Sequence, residues 1–146
     1  MDGQSLFPIP VVRLIVPDEH DRILLVKRDH SRHASGKWCL PGGKIDYEDT
    51  VEEAVRRELY EETNLTVNEL KFLFYQDSLP LEAGGMHCIN LYFECRCSGE
   101  IALNEESSQF IFLRPEDVSS YRLAFRNDEG LLRYWGRRLD KSSETR

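Results

Sequence analysis

The segment from residue 50 to residue 63 constrains the fold most, because it has helical periodicity and places acids on its apolar side. At roughly 100° per residue, Glu58 and Glu62 fall on the same helical stripe as Val51 and Val55, and Glu61 borders that stripe. An apolar stripe faces the protein interior, so these carboxylates are predicted to point inward. A solvated acidic face, the common explanation for such a stretch, does not account for this phase.

Carboxylates that point inward need a partner, since burying an isolated charge lowers the stability of the fold by roughly several kcal/mol. Arg57 can pair with Glu61 four residues later, but one arginine cannot neutralise three acids. Glu58 and Glu62, with Glu61 beside them, offer hard oxygen donors on one helical surface. Mg²⁺, with Mn²⁺ as an alternative, suits such donors when waters and substrate phosphates complete its coordination. The segment therefore predicts a divalent metal site.

The residues at both ends of this segment support the helix. Thr50 and Glu53 have the spacing of a capping box at its start. Asn64 stands where a helix favours a left-handed residue just after its last turn. Ahead of the helix, residues 41–43 read Pro-Gly-Gly, which predicts a tight turn whose bare backbone can approach a ligand closely.

The rest of the chain predicts strands with helices on either side. Residues 10–16 and 22–28 read as a hairpin, and residues 89–96 alternate with the period of a half-buried strand. Further elements are predicted as follows: a polar loop at 31–37, strands at 66–78, 86–99 and 109–113, a helical turn at 114–118 and an amphipathic helix at 128–139. This order predicts an α/β (α+β) fold with a mixed sheet, in a single domain spanning residues 1–146.

Composition excludes several classes of function. The net charge of -7 argues against nucleic-acid and membrane-surface binding, both of which need a cationic field. No apolar run approaches the roughly 20 residues that span a bilayer, and the N-terminus does not resemble a secretion signal, so a cytoplasmic location is expected. The four cysteines lack zinc-site spacing and are predicted to be free thiols.

The stretch GKIDYEDTVEEAVRRELYEETNL, from Gly43 to Leu65, closely resembles the box that defines the Nudix hydrolase family, G-x₅-E-x₇-R-E-U-x-E-E-x-G-U, with U a bulky aliphatic residue. Seven positions match in register: Gly43, Arg57, Glu58, Leu59, Glu61, Glu62 and Leu65. Two positions depart from it. Asp49 replaces a glutamate that orients the box arginine in many members, and Asn64 replaces a glycine.

This resemblance implies a Nudix-type α/β/α sandwich and Mg²⁺-dependent hydrolysis of the phosphoanhydride in a nucleoside diphosphate linked to a group X. It also implies that Glu58 and Glu62 are the principal metal ligands, that Glu61 is an auxiliary ligand, and that a carbonyl near Gly43 adds another. Arg57 is expected to orient the carboxylates rather than to touch substrate. Catalytic roles are thus expected for Arg57, Glu58 and Glu61.

A general base is predicted outside the box, in the stretch LNEESSQF. By resemblance to an E-x₅-W pattern common in the family, with Phe112 at the aromatic position, Glu106 is the better candidate and Glu105 the poorer one. Four cations are possible phosphate contacts, although solvated strand edges and loops explain them about as well: Arg13, Lys27, Arg28 and Lys37.

The sequence leaves the substrate open. A MutT-like nucleoside triphosphate pyrophosphohydrolase and an ADP-ribose or nucleotide-sugar pyrophosphatase are both compatible with the box. The alternative from another class is a nucleotide-sensing domain that binds without hydrolysis. The expected partner is a small nucleotide derivative, with no nucleic acid and no membrane, and a homodimer remains open.

Overall fold

The computed structural model describes residues 6–29 and 36–144, with side chains up to residue 136. Its elements are β1 (Ile9–Ile15), β2 (Ile23–Arg28), β3 (Trp38–Cys39), β4 (Gly42–Lys44), α1 (Val51–Thr63), β5 (Thr66–Ser78), β6 (Cys88–Ser98), β7 (Ser107–Leu113), a 3-10 helix (Pro115–Ser120) and α2 (Asn127–Glu144). Within the described residues the strands form two sheets, ordered β4-β1-β6-β5 and β3-β2-β7. Strands β1 and β6 are parallel and the other pairs antiparallel, so the predicted mixed sheet is confirmed.

Helix α1 begins and ends where its flanking residues predict. The Thr50 hydroxyl accepts a hydrogen bond from the Glu53 amide (3.1 Å), and the Glu53 carboxylate accepts one from the Thr50 amide (2.9 Å). Asn64 closes the helix in the left-handed region at φ 68°, and its amide donates to the Tyr60 carbonyl. The caps therefore define the start and the end of the helix.

The four-stranded sheet lies between two apolar cores. One core packs Val55 and Leu59 of α1 against Val12 and Leu14 of β1. The other lies on the opposite face, where Ile15 and Tyr92 meet Leu131 and Tyr134 of α2. Successive side chains of a strand point to opposite faces, so each central strand contributes to both cores. This layering agrees with the predicted α/β/α sandwich.

Strand β6 corrects one expectation from the sequence. Its alternation predicted one solvated face, yet Asn90 and Tyr92 on the supposedly polar face are 1% and 0% exposed. The strand pairs with β1 on one side and β5 on the other, and its second face is covered by the core that includes α2. The polar groups are accommodated because they hydrogen-bond to Gln76.

The predicted hairpin of the first two strands is also wrong in part. Strands β1 and β2 belong to different sheets, since β1 pairs with β4 and β6 while β2 pairs with β3 and β7. Among the described residues they meet at a bridge between Pro17 and Ile23, where the Leu24 amide donates to the Val16 carbonyl. The two edges of β1 are already occupied, so the strands diverge after the turn.

The Pro-Gly-Gly stretch is not a tight turn, because Gly42 and Gly43 lie in β4 and pair with β1. The bare backbone of both glycines lies close to other groups of the protein. A Cβ atom on Gly42 would collide with the carbonyl of Val12, and one on Gly43 would lie 2.5 Å from the carboxyl carbon of Glu58. Neither position accepts a side chain without a shift of its neighbours.

Other predicted features are present in the structure. Strand β5 has the predicted bounds, and α2 and the short helical turn form where they were expected. The four cysteines are free thiols. Of the predicted loop at 31–37, residues 31–35 lie outside the described part of the chain. No helix within 6–29 and 36–144 is long and apolar enough to cross a membrane.

Candidate active site

A cavity of about 230 Å³ opens where α1 meets the edge strand β4. Its acidic wall consists of Glu58, Glu62 and Glu106. Arg13 and Arg28 line the same cavity, so a cluster of carboxylates shares it with two guanidinium groups. The helical phase predicted from the sequence placed Glu58 and Glu62 inward, and the structure bears this out.

Glu62 is held by the backbone of β4. The Gly42 amide donates to its Oε2 at 3.1 Å. Burial raises the pKa of Glu62 to about 8 against the opposing effect of that hydrogen bond, and the charges of Glu58 and Glu106 raise it further. Arg28 lowers the pKa but does not offset burial. Without a bound cation, nearby positive groups only poorly balance the negative charge of this carboxylate.

Glu58 is in a similar environment one helical turn earlier. Burial raises its pKa to about 7, although Arg57 lowers it. The neighbouring acids Glu61, Asp46 and Glu106 act with burial to raise the pKa. Two half-buried carboxylates with raised pKa values, four residues apart on one helix, form a site that favours a proton or a cation.

Arg57 is fixed by the loop that precedes α1. Its Nη2 lies 2.7 Å from Asp49 Oδ2 and 3.3 Å from Asp46 Oδ2, and its Nη1 lies 3.2 Å from Glu58 Oε1. Asp49 therefore reaches the arginine although its side chain is shorter than the glutamate of the box pattern. The predicted ion pair with Glu61 is replaced by these contacts, because the loop acids lie closer to the guanidinium.

The remaining predicted site residues separate into two groups. Gly43 and Glu106 line the cavity together with Glu58 and Glu62. Glu61 is exposed on α1, and neither it nor Glu105 is among the described residues that line the cavity. The structure thus places Glu106 nearer the carboxylate pair than Glu105, and the catalytic and metal-binding roles of all these residues stay predictions.

Comparison with known proteins identifies the family. The family model described as NUDIX domain matches residues 8–134. The chain belongs to the Nudix family. The resemblance of residues 43–65 to the Nudix box is therefore confirmed.

Individual Nudix relatives agree with this assignment. The nucleoside triphosphatase NudI of Escherichia coli O139:H28 is 32% identical over 97 residues, which cover 60% of this chain and 69% of the relative. The MutT protein of Methanosarcina mazei Go1 has the same fold, with a TM-score of 0.80 at 24% identity over 92% of this chain and 99% of its own. The NUDIX domain of Shewanella oneidensis NrtR, complexed with ADP ribose, gives 0.71 at 24% identity over 95% and 93%. The predicted Nudix-type hydrolase fold is confirmed.

Nudix hydrolases in general use divalent metals, and the donors present here fit one. Glu58 and Glu62 are hard oxygen donors on one cavity wall, and the absence of a side chain on Gly43 is what lets the Glu58 carboxylate lie against the β4 backbone. In the part of the chain that the structure describes, no group of three or more His, Cys, Asp or Glu side chains is close enough to hold a metal ion. Water or substrate oxygens must therefore complete the coordination, as Mg²⁺ commonly requires.

Sequence reasoning missed part of the Nudix cavity. Phe125 and Lys44 line it, and the ring of Phe125 lies beneath the guanidinium groups of Arg13 and Arg28, at 4.4 and 4.9 Å from their Cζ atoms. Phe125 sits in an irregular segment with φ 57°, for which no periodicity gives a signal. Arg13, in contrast, does have a signal in the sequence, because it is a single cation in an otherwise apolar strand.

Proposed function

We propose that this Nudix protein is a Mg²⁺-dependent pyrophosphohydrolase that cleaves a phosphoanhydride bond of a nucleoside triphosphate. The observation that carries the proposal is the cavity itself, which has Glu58, Glu62 and Glu106 on one side and Arg13 and Arg28 on the other. A polyphosphate can bind a metal held by the carboxylates and accept hydrogen bonds from Arg28, which leaves Arg13 for another part of the substrate.

In this proposal Glu58 and Glu62 hold Mg²⁺, the Gly43 backbone supplies a further oxygen, and the exposed Glu61 assists from the helix surface. The bound metal would neutralise the charge of the phosphates and lower the pKa of a water bound to it. Arg57, anchored by Asp49, keeps the Glu58 carboxylate in position. The raised pKa values of the two buried carboxylates support the assignment, because a divalent cation would compensate charges that the protein leaves uncompensated.

Glu106 is the proposed general base. Its carboxylate lines the same cavity as the metal-binding pair, so it can accept the proton of the attacking water. The water oxygen forms the new bond to phosphorus as the bridging anhydride oxygen leaves with the other phosphate. No covalent enzyme intermediate is required, because water attacks directly.

The nucleoside triphosphate is preferred as substrate class because the relative at 32% identity is named a nucleoside triphosphatase. A nucleoside diphosphate linked to a sugar, such as ADP-ribose, is the second candidate. A neighbouring cavity of about 290 Å³, which shares Met86 with the first and is also lined by Phe7, Pro80 and His87, offers room for such a group. A domain that binds nucleotides without hydrolysis is the third outcome to be tested.

A substrate screen separates these candidates. Nucleoside triphosphates, ADP-ribose and nucleotide sugars are incubated with the protein and Mg²⁺, and released phosphate or pyrophosphate is measured. Alkaline phosphatase is added only to the ADP-ribose and nucleotide-sugar reactions, where it reveals monophosphate products. Turnover of triphosphates that is lost in chelator supports the proposal. Turnover confined to ADP-ribose or nucleotide sugars favours the second candidate, and binding without turnover of any compound favours the sensor.

The remaining proposals concern the whole chain. We infer a single Nudix domain over residues 1–146 and a cytoplasmic location, with Mn²⁺ able to replace Mg²⁺. A homodimer is tested by light scattering after size exclusion, and the location by cell fractionation.

A further inference from the structure

Arg13 occupies a buried position on the sheet face that does not carry α1. Along β1, Val12 and Leu14 pack into the core of α1, so Val11 and Arg13 point to the other face. Arg13 is 7% exposed and lines the cavity of the active site. Burial lowers the pKa of its guanidinium from the usual value, as expected for a charge moved out of water.

One edge and one face of this guanidinium are held by the protein. Its Nε donates to Asn90 Oδ1 at 3.2 Å, and the Asn90 amide group donates to Gln76 Oε1 at 2.8 Å. Gln76 Oε1 also accepts from the Tyr92 hydroxyl at 3.2 Å. The guanidinium carbon lies over the ring of Phe125, with Cζ 4.4 Å from the ring centroid. The orientation of Arg13 is therefore set before any ligand arrives.

The other edge of the guanidinium is open to the cavity. Among the described residues, the Nε atom of Arg13 forms a hydrogen bond, and neither η nitrogen does. No carboxylate of these residues forms an ion pair with Arg13. No buried side-chain nitrogen or oxygen in that same part of the chain lacks a partner, so the η nitrogens must reach the cavity surface. The η nitrogens are therefore available to donate to a ligand in this cavity.

The end of the cavity near Arg13 contains the Phe125 ring, which also lies beneath Arg28, and it adjoins the metal-binding wall. Arg13 pairs with Gly42 across the β1–β4 register, and the Gly42 amide holds Glu62. The carboxylates come from α1 around the β4 edge, whereas Arg13 projects from the opposite face, next to Val11 and Phe125. A ligand that spans the cavity would place its phosphates near the carboxylates and a flat apolar group near Arg13.

We propose that Arg13 is a specificity-determining residue whose η nitrogens donate to a ring carbonyl of the substrate nucleobase. The inference rests on the proposed nucleotide hydrolysis and deepens it. A guanidinium fork fits the O6 and N7 acceptors of a 6-oxopurine, and one of its donors fits O4 of a 4-oxopyrimidine. Adenine and cytosine present an amino group at the corresponding ring position, which would direct N–H against N–H.

Matched nucleotide pairs test this prediction directly. ITP and ATP differ in the ring substituent at position 6, and UTP and CTP differ at position 4. We expect kcat/KM with Mg²⁺ to be roughly ten- to hundredfold higher for ITP than for ATP, which is the range of a two-donor arginine contact. The preference for UTP over CTP should have the same direction and a smaller size, because only one donor fits O4. Equal values for ITP and ATP in the natural protein would overturn the inference while leaving the proposed hydrolysis intact.

Two Arg13 variants locate the effect. Arg13→Met keeps a side chain that can pack on Phe125 but removes both donors, and Arg13→Lys keeps the charge without the planar fork. Both variants should bring the ITP-to-ATP ratio close to one, whereas the exposed Arg114→Met should leave it unchanged. A loss of equal size for ITP and ATP in the Arg13 variants would mean that the arginine contacts the phosphate or ribose, and the inference would be wrong.

Calorimetric binding of IMP and AMP without metal gives a comparison that needs neither turnover nor a variant. Tighter binding of IMP supports the inference even if no triphosphate is hydrolysed, in which case the proposed function alone fails. If no triphosphate is hydrolysed, equal affinities for IMP and AMP would refute the inference.

Discussion

Substitution of Glu62 by glutamine should weaken catalysis and at the same time stabilise the metal-free protein. The usual pKa of this carboxyl is 4.5, and in the folded protein burial raises it to about 8. When folding raises the pKa of a group, its contribution to stability is fully present at pH values where the group is protonated in both the folded and the unfolded state. That contribution is lost as the pH rises through the folded pKa. Between about pH 4.5 and pH 8 the metal-free protein should therefore lose stability because of Glu62.

The size of the effect follows from the same values. At about 1.36 kcal/mol per pKa unit, the carboxyl of Glu62 destabilises the metal-free fold by about 3 kcal/mol at pH 7. Glutamine is uncharged, and its amide oxygen can still accept from the Gly42 amide. Its NH₂ group is left without an assigned partner, which subtracts about 1 kcal/mol. The net expectation is a gain of roughly 1–2 kcal/mol at pH 7 that disappears near pH 5.

The assay is urea unfolding in the presence of chelator at pH 5, 6, 7 and 8, for the natural protein and for Glu62→Gln. Glu69→Gln is the matched control, because Glu69 is exposed on β5 and its loss changes the net charge equally. Mg²⁺ should then stabilise the natural protein and not the Glu62 variant, since a ligand that binds the folded state raises its stability. Turnover of the accepted substrate should fall by at least about a hundredfold in the variant.

Two results would refute this reasoning. If the metal-free variant is less stable than the natural protein at pH 8, the Glu62 carboxylate is compensated by groups of the protein. If the variant keeps near-normal turnover at saturating Mg²⁺, Glu62 is not a principal ligand.

Three further outcomes are expected. Glu106→Gln should lower the maximal rate with little change in substrate binding, while Glu105→Gln should do little; a loss below about threefold for Glu106→Gln would exclude it as the base. Gly43→Ala should reduce kcat/KM at least about tenfold, because the new Cβ would lie 2.5 Å from the Glu58 carboxyl carbon and displace it; unchanged kinetics would show that this contact is not needed. Hydrolysis in ¹⁸O-labelled water should place one label in a phosphate product as seen by mass spectrometry, and a trapped phospho-enzyme would contradict direct attack by water.

The sequence by itself determined the helix that carries the site. The capping pair Thr50 and Glu53 and the left-handed Asn64 are local features, so they specify the start and the end of α1 without reference to distant residues, and the apolar periodicity specifies its phase. That phase was enough to place Glu58 and Glu62 inward. The bounds of β5 were equally predictable, because they depend on neighbouring residues along one strand.

The tertiary structure alone decided the other wall of the cavity. Arg13, Arg28 and Phe125 come from two sheets and an irregular segment, and nothing in their local sequence indicates that they meet. The same reason explains why β1 and β2 separate into different sheets and why Asn90 is buried on a face that looked polar. Hydrogen bonds within a helix join near neighbours in sequence, whereas strand pairing and packing choose among distant partners, and only the folded chain shows which partners are chosen.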